Sequence, residues 1–247
     1  MNHFFVGDKQ IPEEGILIDD PGDVNHIRHV LRLKEGDKIT VSTGLEDREY
    51  LCSIVRMTKE GIETVVEDVY GSNRELPLEI TLYQGIPKSD KMEWIIQKAV
   101  ELGAVRIVPL ACRRSVVKLS GTKAEKKVAR WNAIARSAAK QSKRSRIPRV
   151  EPVMSFDQAL GDAANLDTLL IPYEEASGME EARQSVEDLK GKRSLGIFIG
   201  PEGGFEPWEV EAAEEAGARV MTLGHRILRT ETAGMMLLSV IGFSLEE

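Results

Sequence analysis

Two glycine- and threonine-rich stretches hold large charged side chains where a simple turn does not need them. The first is IFIGPEGGF, residues 197–205, an apolar run that breaks into Gly200, Pro201, Glu202, Gly203 and Gly204. Glycine lets a backbone take positive φ and come close to a ligand. Gly and Pro alone would also build a tight strand-to-helix turn, and Glu202 is the residue that such a turn leaves unexplained. The second is LGHRILRTETAG, residues 223–234. Here a strand ends at Leu223-Gly224, a polar and basic stretch follows, and an apolar helix begins. Thr230 or Thr232 is placed to cap that helix, whose free N–H groups and positive end favour a negative charge. Arg229 and Glu231 fall at that end. In a structural reading they pair with each other or face solvent. In a chemical one, a cation steadies an anion and a carboxylate takes a proton.

Other chemistries lack their residues. The glycines at 200–204 do not form the GxGxxG of a dinucleotide site, and no GK[ST] follows as in a phosphate-binding loop. The four histidines are scattered. His26 and His29 share a helix face without a third ligand, so no metal site is expected. Cys52 and Cys112 are far apart and match no metal spacing, reading as reduced thiols. No Ser or Cys has a recognisable partner base.

The pattern around these stretches defines the elements that position them. Up to about residue 70, GDKITVSTG, REYLCSIVRMT and GIETVVEDVY are short runs rich in Val, Ile and Thr, punctuated by glycine. They predict a compact β-barrel. VNHIRHVLRL, residues 24–33, interrupts them as an amphipathic helix with Arg28, His29 and Arg32 off its apolar side. GSNRELP, residues 71–77, reads as a linker. Strand and helix patterns then alternate to the end of the chain, predicting a mostly parallel sheet covered on both faces. The expected organisation is a β-barrel domain over 1–72 and an α/β domain over 73–247. Ligands of such sheets sit beyond the C-terminal strand ends, which singles out the loops after Gln84, Leu110, Pro172, Gly200 and Leu223.

Of the 247 residues, 42% are apolar and 30% charged, as in soluble globular chains. No apolar run suits a membrane span, and the first fifteen residues do not read as a secretory leader. A cytoplasmic protein is expected. The net charge of −7 hides a strong asymmetry, because residues 76–150 carry 17 Lys and Arg against 5 Asp and Glu. Such a basic block is either a solvated helix surface or the footprint of a polyanion.

Taken together, these segments resemble the RsmE family, the knotted (SPOUT-class) methyltransferases of bacterial small-subunit ribosomal RNA. The resemblance spans the chain and rests on RHVLR at 28–32, KSDKMEWIIQKAVELGA at 88–104, RRSV at 113–116, RW at 130–131, QSKR at 141–144 with Pro148, IGPEGGF at 199–205 and LGHRILRTETA at 223–233. It implies a barrel like the PUA RNA-binding domain, a SPOUT sheet closed by a trefoil knot, and a homodimer. It implies S-adenosylmethionine as cofactor and N3 of one uridine, at position 1498 of the 16S rRNA in the small subunit, as target. The implied cofactor residues are Ile171, Pro172, Ile199, Gly200, Pro201, Glu202, Gly203, Leu223, Gly224, Ile227, Leu228 and Thr230. The implied RNA contacts are Arg28, His29, Arg32, Lys88, Arg113, Arg114 and Arg144.

Uridine N3 must lose its proton before it accepts a methyl group. A hundredfold bias towards the anion is worth about 3 kcal/mol. Arg229 is the expected source of that bias. Glu231 is expected to accept the proton or to orient Arg229, with Glu202 as a second candidate base. The pattern departs from the family at Ser137, where relatives usually carry Glu. Three other readings differ in what they require. The same fold acting on a ribose 2′-OH or a tRNA base would keep the GPEGG element. A non-catalytic RNA-binding assembly factor would need only the basic block. A nicotinamide-dependent oxidoreductase would need the fingerprint that is missing.

Overall fold

The computed structural model describes residues 2–7 and 15–246. Part of the N-terminal stretch read above (residues 1 and 8–14), and Glu247 of the expected last helix, lie outside the described residues. The chain divides into two compact units. The first comprises Met1–Glu75 with Ala139–Ile147, the second Leu76–Ala138 with Pro148–Glu247.

The first unit is a five-stranded sheet. Its strands are β1 (His3–Phe5), β2 (Ile16–Ile18), β3 (Lys38–Ser42), β4 (Glu49–Met57) and β5 (Ile62–Tyr70), in the order β1-β3-β4-β5-β2. β1 and β3 are parallel and the other pairs antiparallel. Register shifts at Leu51/Cys52 and Ile54/Arg56 bend the long β4–β5 ribbon, so the sheet curls into a half-barrel around Phe4, Ile16, Ile18, Ile39, Val41 and Ile62. The helix expected over 24–33 begins earlier. α1 (Pro21–Asn25) starts with its proline at N1 and Asp20 capping the Asp23 N–H, and a π-helical turn, His26–Val30, continues it.

Residues 139–147 are stitched into this unit by polar contacts. The Arg144 guanidinium pairs with Glu75, both buried. Lys140 pairs with Asp23 and lies 4.8 Å from the centre of the Phe4 ring. Ser145 donates to Asp47 at 2.8 Å, and the Ile147 N–H donates to Gly44 O at 2.8 Å.

The second unit is an α/β layer structure. After β6 (Glu79–Gly85) come α2 (Lys91–Glu101), β7 (Ala104–Ala111), α3 (Gly121–Gln141), β8 (Arg149–Val150), β9 (Met154–Ser155), α4 (Phe156–Ala163), β10 (Thr168–Pro172), α5 (Met179–Glu187), β11 (Ser194–Ile199), α6 (Pro207–Glu215), β12 (Ala218–Met221) and α7 (Thr230–Leu245). The strand order is β12-β10-β11-β6-β7-β8, with β9 also on β7. Every pairing is parallel.

Central strands buried on both faces read as continuous apolar runs. On one side Tyr83 stacks on Phe198 at 4.3 Å and Phe156 meets Phe205 edge-on. On the other, α7 is apolar nearly all round and buries Met235, Leu237, Leu238 and Ile241. The Tyr83 hydroxyl donates to Asp162 at 2.6 Å, and Arg106 holds the same carboxylate through two bonds of 2.7 and 2.8 Å. No described helix is long and apolar enough to cross a membrane.

Candidate active site

Parallel strands bring their C-terminal ends to one edge. Register places Gln84 of β6 abreast of Ile199 of β11, and Pro172 of β10 abreast of Met221 of β12. Gln84 is a fully buried amide at the end of an apolar strand. Its Nε2 donates to Thr230 Oγ1 at 2.8 Å and to Gly85 O at 3.0 Å. The Thr230 hydroxyl in turn donates to Gly200 O at 2.6 Å. One hydroxyl therefore ties β6, the loop after β11 and the start of α7 together. The expected cap is corrected here: Arg229 is the N-cap residue, no side chain caps the helix, and the Thr230 side chain reaches back to the loop.

That loop needs glycine beside it. A Cβ on Gly85 would sit 2.5 Å from Pro201 N, so any side chain there would push the GPEGG backbone away. Gly204 has φ +69°, a conformation L side chains rarely adopt.

Beyond the strand ends lies a cavity of about 380 Å³, within the range of small-molecule sites. Pro172, Tyr173 and Glu174 line it after β10. Ile199 to Glu202, with Gly204 and Phe205, line it after β11. Thr222 to Thr230 line it after β12, and Lys91 of α2 and Ala233 of α7 complete the wall.

Ten of the twelve residues expected at the cofactor site are on this wall. The other two lie off it. Ile171 is fully buried in the core between the sheet and its helices, as strand alternation requires next to Pro172. Gly203 faces Arg114, whose Nη1 donates to its carbonyl at 3.0 Å.

The charged residues are arranged around Lys91, a residue of the KSDKMEWIIQKAVELGA motif that begins α2. Its Nζ is 3.2 Å from Glu231 Oε2 and 3.5 Å from Glu202 Oε1. Glu202 Oε1 also accepts the Lys88 N–H at 3.0 Å. Burial alone would raise the Glu202 pKa. The Lys88 N–H, its own N–H and the Lys91 ammonium outweigh that effect and hold the carboxyl below its ordinary value. Glu231 therefore pairs with Lys91, not with Arg229. The Arg229 guanidinium lines the cavity, is exposed, and has no ion-pair partner among the described residues.

The residues expected to touch RNA fall into separate groups. In the first unit His29 and Arg32 are exposed, Arg32 in the left-handed region at φ +54°, while Arg28 donates to Thr58 O. In the second, Lys88 and Arg113 are exposed near the cavity loops. Arg114 is held by Glu206, with Nε 3.1 Å from Oε1 and Nη2 3.1 Å from Oε2. Arg144 is 2% exposed and paired with Glu75. The basic block is thus partly internal, since Arg106, Lys140 and Arg144 all neutralise carboxylates. Among the described residues no cluster of His, Cys, Asp and Glu could hold a metal ion.

The second unit carries a parallel sheet with a loop-walled cavity at its C-terminal edge, and the first is a small curled β-sheet. A family model for an RNA methyltransferase domain matches residues 74–242, and one for an RNA methyltransferase PUA domain matches residues 18–67. Ribosomal RNA small subunit methyltransferase E of Bacillus subtilis is 41% identical over 100% of this chain and 98% of its own length. The protein of the same name from Mesomycoplasma hyopneumoniae is 35% identical, over 97% and 98%. The crystal structure of the Neisseria gonorrhoeae ribosomal RNA small subunit methyltransferase E bound to S-adenosyl methionine superposes with a TM-score of 0.82 at 30% identity, covering 99% of this chain and 98% of that one. The chain belongs to the ribosomal RNA small subunit methyltransferase E (RsmE) family.

Proposed function

We propose that this protein transfers a methyl group from S-adenosylmethionine to N3 of uridine 1498 in the 16S rRNA of the small ribosomal subunit. The observation that carries this reading is the cavity walled by Ile199–Glu202 and Thr222–Thr230, with Arg229 on its wall lacking an ion-pair partner among the described residues and Glu231 two residues on in the first turn of α7.

The wall fits the cofactor's chemistry. Glycines open the loop backbone, Pro172, Ile199, Leu223 and Leu228 supply apolar surface for an adenosine, and Glu174 and Glu202 supply negative charge for a cationic ligand. When bound, S-adenosylmethionine supplies an electrophilic methyl group carried on a positively charged sulfur. The remaining work belongs to the chain. Arg229 stabilises the anion that forms on N3 and O4 as the proton leaves. Glu231 accepts that proton, and Glu202 is the second candidate base. Gln84 and Thr230 hold the loops that shape the cavity.

The RNA is gripped by Arg28, His29 and Arg32 in the PUA-like unit, taken as residues 1–72, and by Lys88 and Arg113 in the SPOUT unit, taken as 73–247. Arg114 takes part only by exchanging Glu206 for a phosphate. These contacts position the backbone and do not read bases. The protein works in the cytoplasm, where its substrate is assembled, with the C-terminal segment threaded as a trefoil knot. It acts as a homodimer. On the neighbouring helices α2 and α7, Trp94, Val240 and Phe243 are exposed, Phe243 by 89%, and such apolar side chains on a helix that is apolar all round call for a partner.

The test is transfer of labelled methyl to 30S subunits lacking the modification, with 50S subunits and tRNA as controls. Incorporation confined to 30S subunits is expected. Label confined to tRNA, or appearing on ribose, would overturn the target.

A further inference from the structure

Lys91 stands where α2, the loop after β11 and the first turn of α7 converge. Its ammonium lies 3.2 Å from Glu231 Oε2 and 3.5 Å from Glu202 Oε1, and it is one of the residues lining the cavity. Two carboxylates directed at one point repel each other. Without a cation between them, one is driven to take up a proton.

The other charges around Lys91 are spoken for or lie elsewhere. On α2, Glu93 pairs with Arg130 at 2.7 Å, and Asp90, at its N-cap, lies 3.7 Å from Lys127. Lys88 meets Glu202 through its backbone N–H. His225, Arg226 and Arg229 line the cavity from the loop after β12 without an ion pair to either carboxylate among the described residues. Among the described residues Lys91 is therefore the one cation paired with both. A half-exposed ion pair adds little to stability, so the consequence of this arrangement is local. It fixes where the two carboxylates point.

We propose that Lys91 is a positioning residue, which holds the Glu202 and Glu231 carboxylates in place beside the cavity and so leaves the Arg229 guanidinium available to the substrate. This rests on the reading of Glu231 as proton acceptor.

The test uses the full-length protein, its Lys91→Met and Lys91→Arg variants, and glutamate labelled with carbon-13 at the side-chain carboxyl. The Glu202 and Glu231 signals are assigned by their loss in Glu202→Gln and Glu231→Gln. In Lys91→Met at least one of the two signals should titrate about one pH unit or more higher than in the wild type, and Lys91→Arg should restore it. In methyl transfer to 30S subunits, kcat of Lys91→Met should fall at least tenfold, with the acid limb of the pH profile moved upward and then restored by Lys91→Arg. Titration midpoints unchanged in Lys91→Met would overturn the proposal, as would a fall in kcat with an unmoved acid limb. A wild-type protein that shows the titration difference yet methylates no 30S subunit would leave Lys91 its electrostatic role and remove the reading of the reaction instead.

Discussion

The Gln84 amide donates to the Thr230 hydroxyl at 2.8 Å across 146 positions of sequence, and that hydroxyl in turn donates to Gly200 O at 2.6 Å. Strand end, loop and helix start are held by one small side chain, all of it buried. Thr230→Val keeps the shape and removes the hydroxyl, leaving the Gly200 carbonyl and one Gln84 N–H without partners. An unmade buried hydrogen bond costs about 1–3 kcal/mol. S-adenosylmethionine affinity, measured by calorimetric titration, should fall at least tenfold, while the first unit is untouched. Unchanged affinity would mean that the loops keep their shape without this link.

Arg144 should prove a stability residue. It and Glu75 are both buried, and removing one partner of a buried pair strands the other charge. Arg144→Ala should cost about 3–5 kcal/mol in urea unfolding. Where the variant is still folded, the salt dependence of 30S binding should stay as in the wild type. Arg32→Ala or Lys88→Ala should do the opposite, lowering that slope with little change in stability.

His3 gives the first unit a pH dependence. Its Nε2 is 3.0 Å from Ser42 Oγ, whose own proton goes to Arg48 O at 2.9 Å, so the imidazole is the donor in the pair. Burial first, then the charges of Arg74 and Lys140, lower its pKa from 6.5 to about 4. Between those values the unfolded chain binds a proton that the folded chain does not. Its contribution to stability is therefore complete above 6.5 and is lost as pH falls towards 4. His3→Gln should flatten the melting temperature over that window relative to the wild type. Parallel curves would show that His3 titrates normally in the folded protein.

Phe243 tests the dimer. With 89% of its surface exposed, it offers nothing to the folding of one chain, so Phe243→Asp should leave the monomer stable and shift the mass seen by sedimentation from two chains to one. A wild type that sediments as a monomer would contradict the homodimer.

Much of this architecture was legible in the sequence because the second unit is built from long, buried, apolar strands. β6, β7, β10, β11 and β12 and the loops after them fall where apolar runs and glycines place them. β1 and β2 escaped because three residues are too short to show a period of two. α4 escaped although its capping box, Ser155 with Gln158, is written in the sequence. The passage of Ala139–Ile147 into the first unit had no sequence signal, because α3 runs across the boundary at Ala139 without a break before it ends at Gln141. Charge alone did not reveal the Arg144–Glu75 pair, since a guanidinium says nothing of the carboxylate that meets it. Within the site, residue type singled out Glu202, Arg229 and Glu231, but their pairing depends on Lys91, which only the fold brings beside both carboxylates.

The most direct test of the central claim is the identity of the methylated nucleoside. After reaction of the protein with labelled S-adenosylmethionine and unmodified 30S subunits, the 16S rRNA is digested to nucleosides and separated by mass and retention. All label is expected in N3-methyluridine, mapped to position 1498. Label in a 2′-O-methylated nucleoside or in another base would contradict it.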